Sequence, residues 1–129
     1  MKNIHVAAAI IIKEDKIFCT QRGYGEFKDM WEFPGGKLEI GETSEQALVR
    51  EIKEELNADI KINEFLCTVD YTYPTFHLTM DCFICSLKND HIELLEAENA
   101  KFLKKQDLNS VDFLPADIIV VEKLINRLS

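Results

Sequence analysis

Positive charge is scarce in this sequence: 15 Lys and Arg stand against 23 Asp and Glu over 129 residues, a formal net charge of -8. A surface with that balance repels the phosphates of nucleic acid polymers and of anionic membranes, so neither is an expected partner. Long hydrophobic runs are also missing, and no segment approaches the roughly 20 apolar residues of a membrane span. The nearest, His5 to Ile12, superficially resembles a secretory leader, but Lys13-Glu14-Asp15-Lys16 follows it instead of a small-residue cleavage site. It reads as a first buried strand ending in a turn. Cysteine is limited to Cys19, Cys67, Cys82 and Cys85. A chain with 47% hydrophobic residues needs no covalent staples, so reduced thiols and a cytoplasmic location are expected. Cys82 and Cys85 spell C-x-x-C, but in an extended run residues three apart point to opposite sheet faces, which favours two buried strand cysteines over a metal or redox motif. Repeats, linkers and low-complexity tracts are absent, so one domain over residues 1–129 is expected.

The remaining pattern is that of layered strands and helices. His5–Ile12 and Ile17–Gln21 flank the turn as a hairpin of buried strands. Residues Arg22 to Met30 carry two glycines and mixed charges and read as a mobile loop. Thr43-Ser44-Glu45-Gln46 is a capping box, with Thr43 as N-cap and Gln46 reaching back. The helix it opens should run to about Leu56 and stop at Asn57, which tolerates the left-handed conformation. From Asp59 to Cys85 the chain alternates and is broken at Pro74 into two strands. Lys88-Asn89-Asp90 is a turn signal, His91–Leu95 and Ala100–Leu103 read as short strands, and Val120, Val121, Leu124, Ile125 and Leu128 lie at helical spacing after Pro115. The order implies an α/β or α+β layered domain.

If an acidic protein is to handle phosphates, divalent cations must stand between its carboxylates and the phosphate oxygens, and Mg2+ prefers carboxylate ligands. The predicted helix has such a set. At about 100° per residue, Glu54 falls about 60° to one side of Glu51 and Glu55 about 40° to the other. The three share one strip, bordered by an apolar face of Leu48, Val49, Ile52 and Leu56. Like charges at these spacings are mutually unfavourable, a cost that a bound cation removes. Taken alone, an acidic helical strip is more often a solvated face.

The strip does not stand alone. The stretch Gly36 to Ala58 (GKLEIGETSEQALVREIKEELNA) resembles the Nudix box, G-x5-E-x7-R-E-U-x-E-E-x-G-U, where U is a bulky aliphatic. Gly36, Glu42, Arg50, Glu51, Ile52, Glu54 and Glu55 occupy its required places, whereas Asn57 replaces the final glycine and Ala58 the final aliphatic. The whole chain is similar to the MutT branch of the Nudix hydrolases through Gln21-Arg22, Trp31 to Lys37 (WEFPGGK), Tyr73-Pro74, Glu96 and Leu114-Pro115-Ala116-Asp117. That resemblance implies an α/β/α sandwich around a mixed β-sheet. It also implies hydrolysis of a nucleoside triphosphate to the monophosphate and pyrophosphate, with Mg2+ or, as a substitute, Mn2+.

The resemblance further implies roles for single residues. Glu51, Glu54, Glu55 and the Gly35 carbonyl match metal ligands. Glu96 matches a further ligand or base, although Ala97 follows it where many relatives have His. Arg50 is expected to orient and partly neutralise the glutamates, with Glu42 as its partner. Lys37 and Arg22 are the basic groups for phosphate or ribose, the alternatives being a solvated lysine and a surface ion pair. Tyr73 and Phe76 are candidates to stack on a base or, equally, to be core. Asp117 is a candidate to read the edge of a cytosine or an oxidised guanine, or else caps the last helix. A small nucleotide is the expected partner, handled by a monomer or homodimer. The competing readings are a Nudix hydrolase of another nucleoside diphosphate-linked substrate and a non-catalytic nucleotide-binding module. The retained box glutamates speak against the latter.

Overall fold

The run Ala7 to Ile11 is buried without a break, because the strand that carries it has a helix layer on each face. The computed structural model describes residues 1–127. In chain order it contains β1 (Lys2–Lys13), β2 (Lys16–Gln21), β3 (Trp31–Glu32), β4 (Gly35–Lys37), α1 (Ser44–Leu56), β5 (Ile60–Thr72), β6 (Phe76–Leu87), β7 (Asn99–Lys104), a 3-10 turn (Lys105–Ser110) and α2 (Pro115–Arg127). The sheet runs β3-β2-β1-β6-β5, with β4 added on β1 and β7 on β2. It is mixed, since β1 and β6 are parallel while β2, β4 and β7 join antiparallel.

Alternate residues of β1 serve opposite layers. Ala7, Ala9 and Ile11 pack with Leu48, Ile52 and Leu56 of α1. Ala8 and Ile10 pack with Val120, Val121 and Leu124 of α2. The α/β/α sandwich is therefore the observed architecture. Cys82 falls in the α2 layer and Cys85 in the α1 layer, on opposite faces as expected for strand residues three apart.

Local chemistry sets the turns and caps. Glu14 and Asp15 both have positive φ, 51° and 64°, as a two-residue hairpin of primed type requires. Thr43 accepts from the Gln46 N–H while the Gln46 side chain accepts from the Thr43 N–H, and Asn57 closes α1 in the left-handed conformation. Such an N-cap stabilises a helix by about 1 kcal/mol. Pro74 lies between β5 and β6.

Two expectations fail. Val49 is 46% exposed, while Ala47 is fully buried. The docked face of α1 is rotated toward the acidic strip, which draws Glu55 inward and Val49 out. His91–Leu95 is not a strand. The Glu93 and Leu95 N–H groups donate to the Leu56 and Glu55 carbonyls at 2.7 and 3.1 Å, so this segment satisfies the open end of α1 instead of a sheet ladder. Leu128 lies outside the described residues.

Candidate active site

β4 lies between β1 and α1 at very short range, and this sets the geometry of the site. A side chain on Gly35 would meet the Ala7 carbonyl oxygen at 1.9 Å, and one on Gly36 would meet Glu51 Cδ at 2.3 Å. Only glycine lets the strand approach the helix so closely. The Gly35 N–H donates to Glu55 Oε2 at 3.1 Å.

Two cavities open on either side of β4. The first, of about 210 Å3, is largely apolar and includes Phe27, Tyr73, Phe76, Leu78, Met80 and, at 5% exposure, Asp117. The second, of about 380 Å3, is acidic and includes Glu51, Glu55 and Glu96. Arg22, Glu32, Gly35, Gly36 and Lys37 line both. The structure thus brings together Arg22, Lys37 and Gly35 with three of the predicted glutamates, and Tyr73, Phe76 and Asp117 beside them.

Glu54 does not line the acidic cavity. Its side chain is 58% exposed and receives Arg50 Nη1 at 3.3 Å. The expected convergence holds for Glu51 and Glu55, with Glu54 at the rim. Arg50 is a hub: it donates to Glu42 through Nε and Nη2, both at 2.8 Å, to Glu51 at 2.9 Å and to the Lys37 carbonyl at 3.0 Å. Its guanidinium, helped by the Glu39 N–H, holds the Glu42 carboxyl down at about 2.

The cavity carboxylates behave in the opposite way. Burial pushes Glu55 up to about 8, reinforced by the neighbouring charges of Glu32 and Glu96, against the Gly35 hydrogen bond. Burial also raises Glu51, against the pull of Arg50. Among the described residues, no three His, Cys, Asp or Glu side chains are already arranged to hold a metal ion. The carboxylates share one cavity without sharing one coordination sphere. The elevation of Glu55 and Glu51 comes first from burial and then from neighbouring like charge, which a cation would offset, so the donor set is chemically suited to a hard divalent ion.

In the apolar cavity, Asp117 Oδ1 accepts the Phe33 N–H at 3.0 Å. Burial, followed by the charge on Glu32, raises its carboxyl to about 8. The Tyr73 hydroxyl accepts the Ala116 N–H at 3.1 Å, so Tyr73 supplies a cap to α2 and stacks on Phe76 with centroids 4.9 Å apart. Both alternatives for Tyr73 are realised: it is 5% exposed and it also lines the cavity. Arg22 forms an ion pair, a two-pronged one to Glu32 at 2.8 and 3.0 Å, but the pair stands between the cavities.

Sequence reasoning missed several participants. Glu32 sits within the quoted W-E-F-P-G-G-K stretch, two residues from Pro34, and its alternation with Trp31 was the available signal. Phe27, Leu78 and Met80 carried none. Asp81 was also missed: it accepts from Ser44 Oγ at 2.5 Å, Thr68 Oγ1 at 2.7 Å and His5 Nε2 at 2.7 Å, tying the first turn of α1 to the sheet. Burial pushes its carboxyl up, but those donors outweigh burial and hold it low.

Comparison with known proteins agrees with this geometry. A family model described as NUDIX domain matches residues 3–124. The chain is 33% identical over 126 residues to 8-oxo-dGTP diphosphatase of Escherichia coli K12, covering 96% of this chain and 98% of that one. It is 44% identical over 69 residues to the CTP pyrophosphohydrolase of the same organism, covering 53% and 51%. The solution structure of MutT, a Nudix-family protein from methicillin-resistant Staphylococcus aureus 252, superposes with a TM-score of 0.78 at 34% identity over 98% of this chain and 99% of that one.

Proposed function

This chain belongs to the NUDIX domain family as a pyrophosphohydrolase, and on that premise we propose that it converts a nucleoside triphosphate and water to the monophosphate and pyrophosphate. The proposed substrates are oxidised or modified nucleotides of the 8-oxo-dGTP or CTP type, and the proposed role is cleansing of the nucleotide pool, a service to DNA repair. One observation carries the reading: an apolar, aromatic cavity with a buried carboxylate shares the wall Arg22, Glu32, Gly35, Gly36 and Lys37 with an acidic cavity. A base with an apolar face and polar edge suits the first, and a polyphosphate bridged by cations suits the second.

Glu51, Glu55 and Glu96, with the Gly35 carbonyl, are the groups that would hold Mg2+ or Mn2+, and Glu54 would join from the rim. When bound, such an ion supplies charge neutralisation at the phosphate oxygens and a water of lowered pKa. The chain's own groups do the positioning. Glu32 fixes the Arg22 fork, Lys37 stands at the junction of the two cavities, and Arg50 holds the box glutamates in register. A cavity carboxylate takes the proton of the attacking water, and positioning and charge neutralisation do most of the work in phosphoryl transfer.

The test is a panel of triphosphates, including 8-oxo-dGTP, CTP and modified dCTP, assayed for both pyrophosphate and orthophosphate. Pyrophosphate as the main product, lost on chelation and restored by Mg2+, is expected. Orthophosphate as the main product would overturn the reading.

A further inference from the structure

The fourth and fifth strands of the central sheet path, β6 and its edge neighbour β5, place two thiols face to face. Cys67 of β5 is the register partner of Cys82 of β6 in an antiparallel pair, next to a bulge between Phe65 and Cys67. Directly opposed residues in such a pair have Cα atoms about 4.5–5.5 Å apart, within the roughly 4.4–6.8 Å that a disulfide spans. Both side chains lie on the α2 face, where Cys82 is fully buried in the core and Cys67 packs partly exposed at its edge. The Cys82 S–H donates to the Met80 carbonyl at 3.8 Å. Cys19 and Cys85 have no such cross-strand thiol, since Cys19 is the register partner of Lys101 and Cys85 of Ile11 and Ile62.

We infer that Cys67 and Cys82 form an oxidation site of the folded protein, an outer thiol that meets a hydroperoxide and an inner thiol that resolves the product as a cross-strand disulfide. The asymmetry of the pair fits these roles. The adjacent Cys82 thiol and the Lys123 ammonium together outweigh burial and lower Cys67 to about 7, while the Cys67 thiol and burial raise Cys82. A partly exposed thiol of lowered pKa is the better nucleophile. In the first step the Cys67 thiolate attacks the peroxide, an S–O bond forms, the O–O bond breaks, and hydroxide leaves with a proton as water. In the second, Cys82 sulfur attacks Cys67 sulfur, the S–S bond forms, and the sulfenic oxygen leaves with the Cys82 proton as a second water. The two thiols are oxidised by two electrons and one peroxide is reduced.

The experiment uses the folded full-length chain, treated with a slight excess of hydrogen peroxide, quenched by alkylation and analysed by intact mass and peptide mapping. Loss of two hydrogens, mapped to a Cys67–Cys82 link and reversed by dithiothreitol, is the expected result. The Cys19→Ala/Cys85→Ala variant should oxidise at the same rate. Cys67→Ser should abolish the link and slow oxidation of the remaining Cys82 thiol at least about tenfold. If that variant does not fold, the wild-type map decides alone. Oxygen accumulating on Cys67 without the link, a link mapped to another pair, or both thiols remaining alkylatable in the native state would each overturn the assignment.

Discussion

Glu55 and Asp117 line neighbouring cavities and are both pushed up to about 8, yet for different chemistry. Glu55 is half-buried in a cavity walled by other carboxylates, and its elevation comes from burial and from like charges gathered around one space. Asp117 is almost fully enclosed among aromatic and aliphatic groups, with the Phe33 N–H as a partner. A cation entering the acidic cavity would reverse the first elevation, because it replaces repulsion with attraction. The walls around Asp117 are mostly apolar, and there taking up a proton relieves the carboxyl and leaves it able to donate as well as accept a hydrogen bond. On the proposed function, the same shift therefore belongs to a metal-facing group in one place and a base-facing group in the other.

The sharpest way to break this contrast is Glu55→Gln, which removes charge and nearly preserves shape. We expect turnover to fall by at least about 100-fold with little loss of stability, read as pyrophosphate release beside a urea melt. Unchanged turnover would remove Glu55 from the chemistry. Gly36→Ala tests the same cavity without altering charge, since the added carbon would meet Glu51 at 2.3 Å. Displacing a proposed metal ligand by about 1 Å should lower kcat/KM by about 100-fold, and activity retained within a factor of two would show that Glu51 is free to move.

Asp117→Asn addresses the other cavity. It replaces a carboxyl, which donates only when protonated, with an amide that always carries a donor, and should redistribute preference between CTP and 8-oxo-dGTP by roughly one to two decades. Equal losses on both substrates, or none, would leave Asp117 with a structural role only. The same variant should change the pH dependence of stability. A carboxyl whose folded value is raised from about 3.9 to about 8 contributes stability that is fully present below about pH 4 and is lost as pH rises through about 8. Asn cannot ionise, so the variant should gain on the wild type as pH rises across that window. Denaturant melts at about pH 5 and about pH 9 measure it, and a pH-independent difference would mean that Asp117 stays ionised. The smallest effect belongs to Tyr73→Phe, which deletes the acceptor of the Ala116 N–H and should cost about 1 kcal/mol. A melt that matches the wild type would show that water caps α2 equally well.

Much of the frame was legible because its determinants are local. The Thr43 capping box, the Asn57 stop, the turn at Glu14-Asp15 and the break at Pro74 are each set within a few residues, and each stands where the sequence put it. The strands Trp31–Glu32 and Gly35–Lys37 were not legible as strands, being two or three residues long and held by pairing with β2 and β1. His91–Leu95 has strand-like composition, but its N–H groups found the open carbonyls of α1 first.

For the site, spacing alone put Glu51, Glu54 and Glu55 on one strip, because helical geometry is nearly the same in every protein, whereas the pairing of Arg50 with Glu42 came from the resemblance to the Nudix box. Which of the three enters the cavity was decided by how α1 is rotated on the sheet, and that rotation depends on Ala47 and the closeness of two glycines contributed by another strand. Likewise, the sequence alone named Asp117 and Tyr73 but not their partners, Phe33 and Ala116, nor the junction formed by Glu32 and Arg22. The contacts of Asp117 and Tyr73 join positions 84 and 43 residues apart, and only the packing of the layers determines which groups meet and which are shut away from water.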